Sequence, residues 1–301
     1  MSDNKRGILY ACFTALLWGF LAIILKMASQ FLDSQTIVFA RFSVAFICLM
    51  IIVLARGKRE YFSIFKRPPI MLVIATICLS ANYLGYMQGI HLTSPGNAQI
   101  LIQWGPILLA LSGVFIFKEK LSSLQKMGFV VALAGFTLFF REKLVHLLGT
   151  SGQYIAGNLW TLFGGTMWAI YAILQKKLVQ KYNTTQLNLF IYGAATLIFL
   201  AQADLSKLVD LSVLQWAIVI FLGLNTLLAY GALAEALKYT KANNVSIIIT
   251  LNPVLTFILL GIMGEIGLNW VAPEHLTLLS IVGATGVLGG AIMIIGGKNN
   301  S

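Results

Sequence analysis

Residues 97–109, NAQILIQWGPILL, place two glutamines and a proline inside a long apolar stretch. Gln99, Gln103 and Pro106 follow one another at i, i+4 and i+7, so a helix puts them on one stripe. Amide groups on such a stripe can hydrogen-bond a small polar or zwitterionic solute. They supply neither a nucleophile with a base nor paired carboxylates, so the pattern predicts binding rather than covalent chemistry.

A second stretch repeats this pattern 147 residues later. Residues 244–256 read NVSIIITLNPVLT, and Ser246, Thr250 and Pro253 occupy the equivalent stripe. A proline removes one backbone hydrogen bond of a helix, so breaks are predicted near Pro106 and Pro253. In a bilayer, a break and a polar stripe are tolerated where they face the protein interior or a wet cavity. The two helices are therefore predicted to line a central path.

Further polar and aromatic residues at a similar depth extend the predicted path. These candidate substrate-binding residues are Trp18, Asn82, Tyr83, Tyr86, Trp104, Trp168, Tyr171, Asn225 and Tyr230. Tryptophan and tyrosine are common at the membrane surface, but Trp18 and Trp168 lie well inside their apolar segments. Rings at such a depth either line a cavity or pack between helices, and as a set they favour a cavity.

The composition requires a membrane around these segments. Of the 301 residues, 58% are hydrophobic and 10% are charged, whereas a soluble domain has about 25% charged residues. Apolar runs of roughly 20 residues can cross a bilayer as helices. Ten spans are predicted, near residues 7–29, 35–55, 70–90, 96–117, 123–140, 157–178, 186–203, 214–236, 243–263 and 276–296. The expected fold class is an all-α membrane protein with ten transmembrane helices.

The distribution of basic residues indicates the orientation of these spans. If the N-terminus is inside, the alternation of ten spans puts sixteen lysines and arginines on the inner side and three on the outer side. Such a bias is typical of cytoplasmic loops, so both termini are predicted to be cytoplasmic. The net charge of +11 therefore reflects orientation, and no nucleic-acid partner is expected.

The two halves of the sequence resemble each other. At offsets of 147 to 150, the matches that weigh most are Trp18/Trp168, Lys26/Lys176, Tyr83/Tyr230, Asn97/Asn244 and Pro106/Pro253. Other matches include Gly7/Gly157 and Thr93/Thr240. We predict a first five-helix repeat over residues 1–146 and a second over residues 147–301. Because five is odd, the second repeat lies upside down in the membrane, which is the architecture of many secondary transporters.

Two basic residues fall within the predicted spans. Lys26 lies at a helix end, where it can snorkel to the surface. Arg41 is expected either to snorkel or to pair with an acid such as Glu265. No aspartate lies in a span and no glutamate lies near mid-depth, which argues against an antiporter that exchanges protons for a cationic drug at a central carboxylate.

The sequence also disfavours other functional classes. Its cysteines and histidines lack metal-ligand spacing, and no metal or cofactor is expected. An intramembrane enzyme would need a nucleophile with a base, a metal site or paired carboxylates. A channel would show rings contributed by subunits or a continuous charged pore. An ATP-driven pump would need a phosphate-binding loop, and the chain has none of the Walker type.

Seven motifs occur in order along nearly the whole chain: LLWGF, FARF, GIHLTSPGNAQILIQWGPIL, VFIFKEKLSSLQKMG, TMWAIYAILQKK, LKYTKANNVSIIITLNPVL and IMGEI. They resemble the drug/metabolite transporter superfamily, specifically its ten-helix members with two EamA-type repeats. The resemblance implies a bundle in which the first, third, fourth, sixth, eighth and ninth spans surround a substrate cavity, with the fifth and tenth behind it. The cavity positions that it implies are Trp18, Tyr83, Tyr86, Trp104 and Trp168. The second repeat departs from the pattern, because Ala169 stands where the first repeat has Gly19.

The expected function is secondary transport of a small organic metabolite across the bacterial inner membrane. Amides, hydroxyls and aromatic faces suit a zwitterionic or aromatic amino acid or a related solute. The alternative is a quaternary amine such as choline, held by cation–π contacts. The expected partners are the small-molecule substrate and membrane lipid, and the chain is expected to act as a monomer.

Overall fold

The computed structural model describes residues 2–139, 141, 152–265 and 277–297, which are helical and contain no β-strand. The first half forms α1 (Asp3–Ala28), α2 (Ser34–Ala55), a 3₁₀ helix (Arg59–Phe65), α3 (Ile70–Leu92), α4 (Pro95–Leu101), α5 (Trp104–Phe115) and α6 (Ser123–Phe139). The second half forms α7 (Gly152–Leu178), α8 (Thr184–Leu200), α9 (Ser206–Val209), α10 (Val213–Tyr239), α11 (Ala242–Ile249), α12 (Asn252–Glu265) and α13 (Leu278–Gly296).

These helices follow the predicted spans closely. Among the described residues, six helical segments are long and apolar enough to cross a membrane: α1, α2, α3, α4 with α5, α10, and α11 with α12. Three shorter apolar helices cover Ser123–Phe139, Thr184–Leu200 and Ile281–Ile294. The 27-residue helix α7 belongs to neither group. Large apolar side chains such as Ile51, Leu197 and Ile292 are exposed, which favours a lipid environment over water.

Side-chain caps define where several helices begin. Asp33 accepts a hydrogen bond from the backbone N–H of Thr36 at the start of α2. Ser94 accepts one from Asn97 at the start of α4, and Ser212 forms a capping box with Gln215 at the start of α10. Each cap satisfies backbone donors that have no partner within the helix.

The two predicted helix breaks are confirmed. The fourth span is divided at residues 102–103 and the ninth at residues 250–251. Pro106 has no N–H to offer the carbonyl of Ile102, and that carbonyl accepts from the N–H of Gly105 at 3.0 Å instead. Pro253 likewise lies in the first turn of its new helix, where a proline removes no useful hydrogen bond.

The contacts between helices are mirrored between the two halves. Helix α1 packs along α10, and their repeat counterparts α7 and α3 pack along each other. Helix α5 contacts α7, and its counterpart α12 contacts α1. The same interfaces therefore occur twice, as expected for two related five-helix units.

Helices α6 and α13 form a separate pair behind this arrangement. A Cβ atom added to Gly128 would lie 2.8 Å from the carbonyl oxygen of Gly290, and one added to Gly135 would lie 2.6 Å from the backbone nitrogen of Val287. The glycines thus allow the two backbones to approach closely, as the small-residue spacing of these helices predicts.

Several sequence predictions fall outside the described residues. They concern the possible pairing of Arg41 with the side chain of Glu265, the outer Lys143 and inner Lys298 of the charge count, and two of the three histidines, His146 and His275. The boundary predicted between residues 146 and 147 falls there as well.

Candidate functional site

A cavity of about 60 Å³ lies where the two halves meet, and we call it the central cavity. Its lining comes from α1, α3, α4, α5, α7, α10, α11, α12 and the two breaks. The lining residues are Trp18, Leu21, Asn82, Tyr86, Gln99, Ile102, Gln103, Pro106, Trp168, Tyr230, Ile249 and Asn252. These elements correspond to the first, third, fourth, sixth, eighth and ninth spans, as the resemblance implied, and α6 and α13 contribute nothing to this lining.

Aromatic rings form one wall of the central cavity. The rings of Trp18 and Trp168 meet edge to face with centroids 6.0 Å apart, and Trp18 lies 5.2 Å from Tyr230. The Trp18 and Trp168 side chains are 8% and 5% exposed. Both tryptophans are therefore at the centre of the protein rather than in an interfacial belt.

Three buried polar atoms of the lining have no hydrogen-bond partner among the described residues. They are Nε1 of Trp18, Oε1 of Gln103 and Oδ1 of Asn252. Such an atom costs about 1–3 kcal/mol when it is left unpaired. The cavity therefore presents one donor and two acceptors that a bound molecule can satisfy.

Gln99 has a different role from Gln103, although both lie on the predicted polar stripe. Its Oε1 accepts from the hydroxyl of Tyr86 at 2.9 Å, and its Nε2 donates to Oγ1 of Thr256 at 2.8 Å. Thr256 in turn donates to the carbonyl oxygen of Gly19 at 2.8 Å. Gln99 thus ties α1, α3, α4 and α12 together, and its hydrogen bonds are already used.

Asn82 also lines the cavity, but its side chain is anchored to a neighbouring helix. Its Nδ2 donates to the carbonyl oxygen of Gly164 at 2.9 Å. A Cβ atom on Gly164 would lie only 3.1 Å from the backbone nitrogen of Tyr86, so the glycine favours this close approach of the two helices. Asn82 therefore fixes α3 against α7 at the level of the cavity.

Three predicted residues lie behind the cavity wall instead of lining it. Tyr83 donates to Oγ1 of Thr226 at 3.2 Å, and Tyr171 packs against Tyr230 with ring centroids 5.8 Å apart. Asn225 donates to the carbonyl oxygen of Leu17 at 2.8 Å. These residues lie at the depth of the central cavity, but on helical faces that pack against neighbouring helices. Their side chains therefore support the cavity wall from behind.

Of the two placements predicted for Arg41, snorkelling outward to the membrane surface is wrong. Its side chain is 3% exposed and its guanidinium lies 4.3 Å from the ring centroid of Tyr83. Its Nε donates to Oγ1 of Thr226 at 3.2 Å. The cation is therefore held by an aromatic face and a hydroxyl within the core, a geometry that the sequence does not reveal.

Trp104 does not line the central cavity, contrary to the prediction. It is 42% exposed, and its Nε1 donates to Oγ1 of Thr166 at 3.1 Å on the outer surface of α7. The break at residues 102–103 rotates the helix that follows, so the ring points away from the central cavity while Gln103 points toward it.

Ser246 and Thr250 line a second cavity, the lateral groove, together with Gln103. Ser246 donates to the carbonyl oxygen of Pro106, and Thr250 donates to the carbonyl oxygen of Ile247 at 2.6 Å. Pro253 is buried but lines neither cavity. The second polar stripe therefore faces the first broken helix, because the two halves cross at the breaks.

Asn252 is a polar residue of the central cavity that was not predicted from the sequence. It stands directly before Pro253 in an apolar span and is 4% exposed. A polar residue next to the second break was the available signal, but it lies off the stripe formed by Ser246, Thr250 and Pro253.

An ion pair closes one end of the bundle. The Nζ atom of Lys176 lies 3.7 Å from Oε1 of Glu119, and the two side chains are 13% and 7% exposed. Glu119 also accepts from the backbone N–H groups of Ala242 at 2.7 Å and Asn243 at 3.1 Å. Lys176 donates to the carbonyl oxygen of Thr240 at 2.9 Å. The pair thus joins the start of α11 to the ends of α7 and α10.

Two equivalent glycine–threonine contacts lie at the two ends of the helical bundle. A Cβ atom on Gly7 would lie 2.7 Å from Cβ of Thr240, and one on Gly157 would lie 2.6 Å from Cγ2 of Thr93. Gly7 and Gly157 match in the repeat alignment, as do Thr240 and Thr93. The same glycine-on-threonine contact therefore occurs at opposite ends of the molecule.

Comparison with known proteins identifies related chains. The family model of EamA-like transporters matches residues 5–141 and 155–296. The uncharacterized inner membrane transporter YhbE of Escherichia coli (strain K12) is 34% identical over 288 residues, covering 95% of this chain and 90% of its own length. An uncharacterized transporter of Haemophilus influenzae is 33% identical over 288 residues, covering 95% and 94%. A solved crystal structure matches with a TM-score of 0.75 at 18% identity over 97% of each chain, which indicates a shared fold.

Proposed function

We propose that this chain is a secondary transporter that moves a small organic metabolite, an amino acid or a related solute, by alternating access. The chain belongs to the EamA-like transporter family, within the drug/metabolite transporter superfamily, and is a multi-pass transporter of the inner membrane. The observation that carries this proposal is the central cavity with its three unpaired polar atoms and its aromatic wall.

The chemistry of the cavity favours a zwitterion. None of the described residues that line it carries a charge, so a ligand without net charge avoids an uncompensated buried charge. Oε1 of Gln103 and Oδ1 of Asn252 accept hydrogen bonds from a protonated amino group, and Nε1 of Trp18 donates to a carboxylate. The volume of about 60 Å³ has room for a few water molecules at roughly 15 Å³ each, so it favours a small solute over a bulky one.

A quaternary amine such as choline is the second candidate. The rings of Trp18, Trp168 and Tyr230 surround one side of the cavity, and such faces attract cations by roughly 0.5–2 kcal/mol each. A quaternary nitrogen has no N–H group, however, and leaves the acceptors of Gln103 and Asn252 without a donor from the cationic centre. The primary proposal therefore remains the amino acid.

Alternating access is supported by the mirrored closures at the two ends. The contact of Gly7 with Thr240 and the contact of Gly157 with Thr93 are equivalent. Opening one while keeping the other exposes the central cavity to one side at a time, which is how inverted-repeat transporters work.

The orientation follows from the basic residues. We propose ten transmembrane helices in two inverted repeats with cytoplasmic termini, because sixteen lysines and arginines then lie inside and three outside. In this orientation the pair Glu119 and Lys176 belongs to the cytoplasmic end, and Thr93 with Gly157 belongs to the external end.

A thermal-stabilisation screen on the purified chain tests the substrate class. A ligand at 100 times its Kd stabilises the folded state by about 2.7 kcal/mol, so even weak substrates raise the unfolding temperature. We expect a small amino acid to do so. Stabilisation by choline or betaine with no response to any amino acid would replace the first proposal with the second.

A further inference from the structure

We propose that the lateral groove binds a single-chain lipid amphiphile whose head group donates a hydrogen bond to Asn243. The groove lies between α5, α6 and α11 and has a volume of about 340 Å³, within the range of roughly 300–1,000 Å³ that small-molecule sites occupy. It is separate from the central cavity, and Gln103 is the residue that both share. This proposal does not depend on the identity of the transported solute.

The wall of the groove is apolar and open to the surrounding lipid. Leu111, Val130 and Leu133 line it and are 47%, 68% and 60% exposed. From Asn243 to Thr250 the groove follows α11 and the residue after it, a length of roughly 10 Å at 1.5 Å per residue. An elongated apolar slot of this kind fits an alkyl chain.

Asn243 supplies the polar end of the site. Its side chain is 1% exposed, and its Nδ2 donates to Oε2 of Glu119 at 2.6 Å. Its Oδ1 has no partner among the described residues. An acceptor in this position needs a donor, so the head group must carry a hydroxyl or amine rather than a carbonyl alone.

Two other polar side chains of the groove already donate their hydroxyl protons, Ser246 to the carbonyl oxygen of Pro106 and Thr250 to that of Ile247. Gln103 also has an unpaired Oε1, but the groove shares this residue with the central cavity. Asn243 lies at the start of α11, beside the ion pair of Glu119 and Lys176 that closes one end of the bundle. The head group therefore lies at the membrane surface and the tail points toward the bilayer centre, as an amphiphile in a leaflet does.

Photolabelling of the full chain in phosphatidylcholine vesicles tests this site. The probe is 1-dodecanol that carries a diazirine in its tail, and adducts are located by mass spectrometry of peptides. We expect adducts on α5 and α6 that unlabelled 1-dodecanol suppresses. Dodecane, which lacks the donor, should compete about fivefold less well at the same concentration in the membrane.

Two variants and a matched control sharpen the test. Ala110→Phe fills the groove and should abolish the adducts, whereas Ala134→Phe, at an exposed position of α6 outside the groove, should leave them unchanged. Asn243→Ala should remove the preference for dodecanol over dodecane while the chain remains folded, since Glu119 keeps the backbone donors of Ala242 and residue 243.

Three results would overturn the proposal. Adducts spread evenly over the exposed helices would mean that the probe labels lipid-facing surface in general. Equal competition by dodecane and dodecanol would remove the role of Asn243. A dimeric chain that Ala110→Phe makes monomeric, with no adduct on α5 or α6, would make the groove an interface between two copies.

Discussion

The indole rings of Trp18 and Trp168 touch edge to face, 6.0 Å apart between centroids, although the residues occupy equivalent positions of two different repeats. Tyr83 and Tyr230 form a second such pair at 5.6 Å. Counterparts that touch must lie beside the axis that relates the repeats. The axis therefore passes beside the central cavity.

Replacing the tryptophans should impair transport. Trp18→Ala and Trp168→Ala remove aromatic contacts with the substrate worth about 0.5–1.5 kcal/mol each. Substrate affinity should therefore fall by up to about tenfold, while the variants still insert into the membrane. Trp18→Phe retains a ring but removes the unpaired Nε1 donor, and it should weaken binding of a carboxylate-bearing ligand. Uptake into proteoliposomes measures both effects.

The matched control is Trp216→Ala. Trp216 is 38% exposed near the start of α10 and lines neither cavity, so its loss should leave uptake unchanged. Normal kinetics in both Trp18→Ala and Trp168→Ala would assign those two rings to helix packing alone.

The two glutamines should respond oppositely to leucine. Gln103→Leu removes an acceptor that has no partner among the described residues, so stability should be unchanged or higher while substrate binding weakens. Gln99→Leu breaks the hydrogen bonds with Tyr86 and Thr256 and should lower the free energy of unfolding by about 1–3 kcal/mol. Thermal unfolding and ligand binding of both variants distinguish the roles. Equal loss of stability in the two would refute the distinction.

Breaking the ion pair should open the cytoplasmic end. Glu119→Gln leaves Lys176 without its anion and weakens the cap on α11, and Lys176→Met leaves Glu119 unpaired. Either change should increase labelling of a cavity cysteine from the cytoplasmic side. Glu60→Gln is the control, because its pair with Lys58 is 55–60% exposed and contributes little. If labelling is unchanged in both variants, the pair is not a gate.

Acid should destabilise the loop that carries Asp33. Burial raises the pKa of Asp33, but hydrogen bonds from Thr36 and the cation of Lys207 at 3.3 Å outweigh it, so its pKa is lowered. A carboxyl whose pKa is lower in the folded state stabilises the fold above its unfolded pKa of about 3.9 and loses that contribution as the pH falls through the folded value. The unfolding temperature of Asp33→Asn should therefore be lower than that of the parent chain at neutral pH, and the difference should shrink as the pH falls below about 4. A constant difference at all pH values would contradict this.

The fold was largely predictable because its signals are long and periodic. Apolar runs of membrane length, the prolines at 106 and 253, and the glycine spacing of α6 and α13 each have a single structural solution in lipid. Breaks were predicted near Pro106 and Pro253, and the structure has them at residues 102–103 and 250–251.

The site was only partly predictable because depth in a span does not determine direction. Trp18, Gln103 and Trp168 line the central cavity, whereas Trp104 is exposed after the break and Ser246 lines the lateral groove. The rotation across a helix break depends on the packing of both halves, which a stripe of residues on one helix does not encode. The burial of Arg41 beside Tyr83 likewise depends on how the helices pack, so the local sequence does not predict it.

Cysteine accessibility at Leu21, which lines the central cavity, tests alternating access most directly. The background lacks Cys12, Cys48 and Cys78. In it, Gly7→Val forces apart the contact with Thr240, and Gly157→Val forces apart the contact with Thr93. The control is Gly231→Val, because a Cβ atom at that position meets nothing within 4 Å. With a membrane-impermeant thiol reagent, Leu21→Cys should react from the cytoplasmic side in the Gly7 variant and from the external side in the Gly157 variant. Reaction from the same side in both, or from neither side in any variant, would contradict the account.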